Sequence, residues 1–178
     1  MVAIAAAVLV SACAPGQLSV GPLGARPENQ IVEGQPVQRG RADTITADVM
    51  YNGGRYPAVI DRLVLVSPRH IDLVGAYICP AARGLVGNWA AFPPFFGNDR
   101  QRAQIRGIIW AWAHRQEAVG AVIPPHQWAG ITLGLEATAA QGSIARIDLF
   151  YNIGGVHYEY RGRTRIILTR VRKLARGL

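Results

Sequence analysis

The stretch IARIDLFYNIGGVHYEYRGRTRIILT, residues 144–169, determines the predicted architecture of this chain. After Gly155 the even positions are apolar, aromatic or small as far as Leu168, whereas most odd positions are polar. Before the glycines, the odd positions of 145–153 hold the apolar and small residues. Alternation with a period of two is typical of a β-strand with one buried and one solvated face. The stretch therefore predicts β-strands on both sides of Gly154-Gly155.

Gly154-Gly155 predicts a tight turn that joins these strands into a long hairpin. Glycine adopts positive φ at both central positions of a type I′ turn without steric cost. A two-residue turn also fixes the pairing of the strands, with apolar pairs on one face and an opposite-charge pair on the other. The predicted cross-strand pairs are Tyr151–Tyr158, Leu149–Tyr160 and Asp148–Arg161.

Further alternating or apolar segments bring the total to about seven strands, with turn residues between them. Pro36 confines the segment 30–37 to a sheet edge. Within 44–52 the alternation places Ile45, Ala47, Val49 and Tyr51 together on one face. The other predicted strands are 57–66, 70–79, 118–123 and 128–137.

A helix-bearing insertion, residues 80–117, interrupts this series of strands. Asn98 is the predicted N-cap of a helix over 99–116, because its side chain can accept a first-turn backbone hydrogen bond. Ile105, Ile109 and Trp112 recur at the spacing of one helical face. Strands and helices do not alternate along the chain, so a parallel α/β sheet is disfavoured.

The fold class that follows is mainly β, an antiparallel β-sandwich over residues 30–170. Its general plan resembles the immunoglobulin-like sandwich, although the Cys…Trp…Cys spacing of antibody domains is absent. The predicted domain organisation adds a signal peptide at 1–12, a Gly- and Pro-containing flexible tether at 13–29 and a basic C-terminal tail at 171–178.

The N-terminus predicts the location of the protein. Residues 1–12 form an uncharged apolar run of signal-peptide length, too short to span a bilayer comfortably. The run ends in Val10-Ser11-Ala12-Cys13, which resembles the lipobox of bacterial lipoproteins, although the usual Lys/Arg segment is absent before it. The resemblance implies lipidation of Cys13 and an extracytoplasmic protein anchored to the cell membrane. Ordinary secretion is the second choice, and an uncleaved anchor or a cytosolic location stays open.

Charge supplies the first candidate site. The net charge is +8, and a basic protein is attracted to anionic surfaces in general. Basic residues concentrate in the last strand and the tail, where they either keep a solvated face soluble or bind an anionic partner. For a lipid-anchored protein the nearest anionic partner is the membrane. Nucleic acid is disfavoured, because outside the buried face no aromatic residues alternate with the arginines. This set comprises Arg161, Arg163, Arg165, Arg170, Arg172, Lys173 and Arg176.

The aromatic residues of the insertion supply the second candidate. Trp89, Phe92, Phe95 and Phe96 either form a lid that fills a small core at one end of the sandwich or remain exposed as a patch for a ligand or protein partner. Cys79 is predicted to be a buried, inert thiol, or to form a disulfide with Cys13 if Cys13 is not lipidated.

No catalytic residue, metal ligand or cofactor site is predicted. The four histidines lie at no ligand spacing, and no Gly-x-Ser-x-Gly motif or phosphate-binding glycine loop is present. The sequence favours a membrane-tethered binding or scaffold module with an unidentified envelope partner. The alternative is an enzyme or accessory subunit of cell-envelope metabolism with its site under the 80–97 loop.

Overall fold

The computed structural model describes residues 19–25 and 32–170. Cys13, the signal segment 1–12 and the tail residues Arg172, Lys173 and Arg176 lie outside these ranges. The strands are β1 Ser19–Val20, β2 Leu23–Ala25, β3 Val32–Val37, β4 Asp43–Asn52, β5 Ala58–Val66, β6 Ile71–Pro80, β7 Gln116–Glu117, β8 Val122–Ile123, β9 Trp128–Ala137, β10 Gln141–Ile144, β11 Arg146–Ile153, β12 Val156–Arg161 and β13 Arg165–Arg170. The helices are α1 Asp99–Gln104 and α2 Arg106–Ala113.

The strands form two five-stranded sheets that pack face to face. One has the order β2-β4-β9-β6-β7 and the other β1-β12-β11-β5-β8; a smaller sheet has the order β10-β13-β3. The long strands of both large sheets pair antiparallel. Two antiparallel sheets with a shared core between them are the plan of an immunoglobulin-like sandwich. The predicted fold class is confirmed.

The hairpin of β11 and β12 has the predicted register. Tyr151 pairs with Tyr158, Leu149 with Tyr160 and Asp148 with Arg161. Gly154 and Gly155 have φ values of 58° and 86°, as a type I′ turn requires. The two-residue turn leaves the strands no alternative pairing once their apolar face is buried.

Beyond the hairpin the chain keeps its alternation but changes sheet. β12 ends at Arg161, and β13 begins at Arg165 between β10 and β3. At Gly162 an added Cβ would lie 2.3 Å from the carbonyl oxygen of Ile147, so only glycine fits at the crossing. Tyr160, Thr164 and Ile166 are all buried across this break.

The main core lies between the two large sheets. Both sheets contribute residues that have no accessible surface, and each fully buried aliphatic or aromatic side chain stabilises the fold by about 1.5–3 kcal/mol. The central members are Ile45, Ile131, Leu133, Leu135, Ile147, Leu149 and Tyr151.

The predicted inward set of β4 is correct only in its first half. Ile45 and Ala47 face the core, but the register against β9 shifts between Thr46 and Val49. Two residues on β4 therefore oppose one on β9, which is a β-bulge. After the bulge Met50 is fully buried, whereas Val49 and Tyr51 are only partly buried.

The predicted tether over 13–29 was too long. Two short strands occupy its described part: β1 pairs in parallel with β12, and β2 pairs antiparallel with β4. Leu23 is buried in the core, and its backbone N–H donates to Tyr151 Oη at 3.1 Å. Burial of one apolar side chain with a satisfied amide is the physical reason that this stretch joins the domain.

The predicted helix divides in two at Ile105. Asn98 caps α1 as predicted, in a capping box with Gln101. At Gly107 in α2 an added Cβ would lie 2.0 Å from the carbonyl oxygen of Arg83. The glycine that weakens the helix is thus what allows α2 to approach the preceding loop. In the described ranges no helix is long and apolar enough to cross a bilayer.

The sandwich has two ends, which we name by their connections. The hairpin end carries the connections 53–57, 124–127 and 154–155, as the pairings of Tyr51 with Trp128 and of Val59 with Asn152 show. The opposite end carries 38–42, 67–70 and 138–140, next to the pairs Val66–Arg146 and Ile71–Ala137. Ten-residue strands such as β4 and β9 separate the two ends by about 30 Å.

Candidate functional site

The insertion packs on the outer face of the β4–β9–β6 sheet, not over an end of the sandwich. Its aromatic rings surround a second buried cluster that contains Cys79, Val86, Ala111 and Trp112. Phe92 lies over two glycines of the sheet, because a Cβ added at Gly134 or Gly75 would approach its ring to within 2.5 and 2.7 Å respectively. The alternation of β9 explains this contact, since its small outward residues leave room for a ring.

The rings of this cluster contact one another at ordinary aromatic distances. The centre of the Phe92 ring lies 6.0 Å from that of Tyr77 and 6.1 Å from that of Trp112. The Trp89 and Phe96 rings meet edge-on with their centres 5.1 Å apart. Edge-on and offset contacts of this kind stabilise packed aromatic pairs. Of the four aromatic residues named as a ligand patch, Phe95 is 75% exposed and the other three are partly buried.

Hydrogen bonds hold the insertion against the sheet. The backbones of Trp89 and Thr44 exchange two hydrogen bonds of 2.9 Å, and the Thr44 hydroxyl donates to Ala91 O at 2.6 Å. The Thr46 hydroxyl lies 3.2 Å from Gly87 O and also 3.2 Å from the Thr132 hydroxyl. These bonds attach residues 87–91 of the insertion to β4.

Cys79 lies beneath this loop as a free, buried thiol. Burial raises its pKa, and its hydrogen bond with Thr132 opposes the rise more weakly. A thiol whose pKa is raised by burial is a poor nucleophile, because the thiolate is the reactive form. The space under the 80–97 loop is thus occupied by aromatic rings and an unreactive sulfur.

A basic groove on the helices was not predicted from the sequence. It has a volume of about 400 Å³ and is lined by Asp99, Arg102, Ala103, Arg106, Ile109 and Trp110. The Arg83 guanidinium lies 4.7 Å from the centre of the Trp110 ring. The lining residues recur at intervals of three and four along 99–110, a helical spacing that could have revealed the groove.

The arginines of the last strands do not form one free surface. Arg161 donates to Glu159 at 3.0 Å, and this hydrogen bond raises the pKa of the guanidinium. Arg170 is half-buried and donates to the carbonyl oxygen of Ala137 through Nε at 3.1 Å. Arg163 and Arg165 are exposed. The arginines of residues 161–170 therefore differ in how far their side chains are exposed to solvent.

The outer face of the β5–β11–β12 layer carries a separate polar network. Asp148 is nearly buried and receives two hydrogen bonds from the Arg146 guanidinium, at 2.9 and 3.0 Å. Its predicted opposite-charge partner Arg161 lies across the strand pair, so two arginines flank one carboxylate. Bidentate geometry of this kind makes a strong charge-assisted pair and orders the sheet surface.

Asp61, Asn152 and His157 meet at the edge of the same face. Asn152 Nδ2 donates to Asp61 Oδ1 at 2.7 Å, and His157 Nδ1 lies 3.2 Å from Asp61 Oδ2. The histidine and the carboxylate are both exposed, so water competes for these contacts. Across the described part of the chain, no three His, Cys, Asp or Glu side chains are grouped so as to hold a metal ion.

The chain has a structural likeness among solved proteins but no match among families or curated proteins. No family model matches the chain, and no curated protein matches it. Among solved structures it is similar to the ASH / PapD-like domain of human CEP192 (PapD-like domain 7), with a TM-score of 0.41 and 8% sequence identity. The alignment covers 93% of this chain and 98% of that domain.

Proposed function

We propose that this protein is a membrane-tethered, extracytoplasmic β-sandwich that binds or scaffolds an envelope partner and is not a catalyst. The observation that carries the non-catalytic part is the packing of the insertion. Phe92, Trp89 and Trp112 fill the region under the 80–97 loop, where the alternative enzyme site would lie. An enzyme would have to open this cluster before a substrate could reach the sheet.

The insertion offers a partner both basic and apolar side chains. The helix groove offers Arg102 and Arg106, and within the residues that the structure describes neither guanidinium has an ion-pair partner. Exposed Phe95 adds an apolar contact beside this region of the chain. Arginine and aromatic side chains are enriched at protein interfaces, which supports a binding role for the insertion.

The tethering part of the proposal rests on the lipobox resemblance at Val10–Cys13. Mass spectrometry of the mature N-terminus, combined with membrane fractionation, tests it directly. We expect a diacyl-modified Cys13 at the new N-terminus and recovery of the protein in the membrane fraction.

Two cysteine variants sharpen this experiment. Cys13→Ala should abolish the lipid modification and release or mislocalise the protein, whereas Cys79→Ala should leave both the modification and the fractionation unchanged. An unmodified, unprocessed wild-type protein in the soluble fraction would contradict the proposed localisation.

A further inference from the structure

We infer that the hairpin end of the sandwich is the surface that contacts the membrane, with Tyr56 and Val156 at the lipid headgroups. The inference rests on the proposed lipidation of Cys13. It differs from the expectation that the basic C-terminal region supplies the additional membrane contact, because the described part of that region ends at Arg170, at the opposite end of the sandwich.

The position at which the tether joins the domain supports this orientation. Ser19 pairs with Tyr158, the third residue of β12 after the hairpin turn. Further along, Pro22 O accepts a hydrogen bond from Gly53 N at 3.0 Å, in the connection between β4 and β5. The chain that arrives from Cys13 therefore enters the fold at the hairpin end.

The length of the tether limits how far Ser19 can stand from the bilayer. Ser19 is six positions after Cys13, and six residues span at most about 20 Å when fully extended. If the opposite end faced the bilayer, Ser19 would stand roughly 25 Å above it, counted along β12 and β13. The tether does not reach that far. The length of the tether therefore favours the orientation with the hairpin end toward the membrane.

The side chains of the hairpin end suit contact with a membrane surface. Tyr56 is 67% exposed and Val156 is 51% exposed. The connections 53–57, 124–127 and 154–155 contain Arg55 and His126 but no carboxylate. Tyrosine is enriched at membrane–water interfaces, and connections without carboxylates do not repel anionic lipids. The nearby Asp61 carboxylate is hydrogen-bonded to Asn152 and contacts His157.

The opposite end of the sandwich carries more positive charge than the hairpin end. The connections of the opposite end contain Arg39, Arg41 and Arg69, and β13 ends there at Arg170. A basic residue contributes about 1 kcal/mol only near the lipid surface, and the attraction decays within a Debye length of about 8 Å. Across a sandwich about 30 Å long, these arginines gain almost nothing from the anchoring membrane. They remain available to an anionic partner outside it.

The experiment uses lipidated full-length protein in vesicles of phosphatidylcholine with phosphatidylglycerol. A fluorophore is attached to a cysteine introduced by Tyr56→Cys or, as the matched control at the opposite end, by Arg69→Cys. Both variants carry Cys79→Ala, and quenching is measured with a lipid that bears a nitroxide in its headgroup. Circular dichroism and the melting temperature establish that each labelled variant is folded.

We expect several-fold stronger quenching at position 56 than at position 69. Charge removal by Arg39→Gln with Arg69→Gln should leave the quenching at 56 unchanged, whereas Val156→Ser should reduce it. Equal quenching at both positions, stronger quenching at 69, or none at 56 in protein whose Cys13 lipid is verified by mass spectrometry would overturn the inference alone. Absence of the lipid would instead refute the proposed tethering.

Discussion

Asp48 is the residue in which local geometry and charge are most closely linked. It lies in the β4 bulge with 6% of its surface exposed, and its Oδ1 accepts hydrogen bonds from the Thr164 hydroxyl at 2.9 Å and from Arg163 N at 3.3 Å. Its Oδ2 is buried without a hydrogen-bond partner among the described residues. Burial raises the pKa of this carboxyl, and the hydrogen bonds only partly offset that rise.

The raised pKa of Asp48 predicts how stability depends on pH. Between the ordinary aspartate pKa and the raised value, the unfolded chain has released the proton while the folded protein still retains it, so stability falls as pH rises through this interval. Asp48→Asn keeps the acceptor for Thr164 and removes the charge. We expect its free energy of unfolding at pH 7 to be about 1 kcal/mol higher than wild type, with a weaker decline above about pH 4.

Urea denaturation at a series of pH values measures this effect. Asp72→Asn, which removes an exposed carboxylate, is the control for the loss of one negative charge. A decline of equal slope in Asp48→Asn and wild type would show that the buried carboxyl does not contribute. The alternation of the sequence could not identify Asp48 as buried. It gives no sign of the bulge that shifts the inward positions of β4 by one residue.

At the scale of elements, the hairpin was predictable in full because its turn is only two glycines long. The order of residues then leaves one register that buries Leu149 and Tyr160 together. The helix was less predictable. Its face was visible in the spacing of Ile105, Ile109 and Trp112. That spacing gives no sign of the division at Ile105, or of the close approach of Gly107 to Arg83 in a distant loop.

The turn itself provides a test of backbone conformation free of packing effects. A Cβ added at Gly154 or Gly155 meets no atom within 4 Å, so a substitution there changes only conformational strain. Gly155→Val places a β-branched residue at a φ of 86° and should lower the unfolding free energy by about 1–2 kcal/mol. Gly154→Asn should be nearly neutral, because asparagine suits the first position of a type I′ turn. Chemical denaturation distinguishes the two, and an equal loss in both variants would argue against the assigned turn.

The aromatic cluster provides the second test at this scale. Phe92→Ala removes the ring that covers Gly75 and Gly134 and should cost about 3 kcal/mol of unfolding free energy. Phe95→Ala changes an exposed ring in the same loop and should alter stability by less than about 0.5 kcal/mol. Thermal and urea unfolding measure both, and comparable losses would mean that the insertion is not packed as described. The sequence could predict an aromatic cluster but not its exposed member, because the covering partners come from β6 and β9.

At the scale of the whole molecule, the insertion and the sandwich differ in how deeply they are buried. Ile131, Leu133 and Leu135 of β9 have no exposed surface, whereas α1 has no buried residue. Amide hydrogen exchange should therefore be orders of magnitude faster in 99–104 than in 128–137, because local opening requires little loss of buried contact in α1. Similar protection in the two segments would indicate that the insertion and the sandwich open as one unit.

The parallel pairs at the margins of the fold join its beginning to its end. β1 lies against β12, and β3 lies against β13, so each of these two early strands finds its sheet neighbour late in the described chain. A ribosome delivers the chain from its N-terminus, so neither pairing can form until β12 and β13 have been synthesised. Until then the backbone donors and acceptors of β1 and β3 lack their sheet partners.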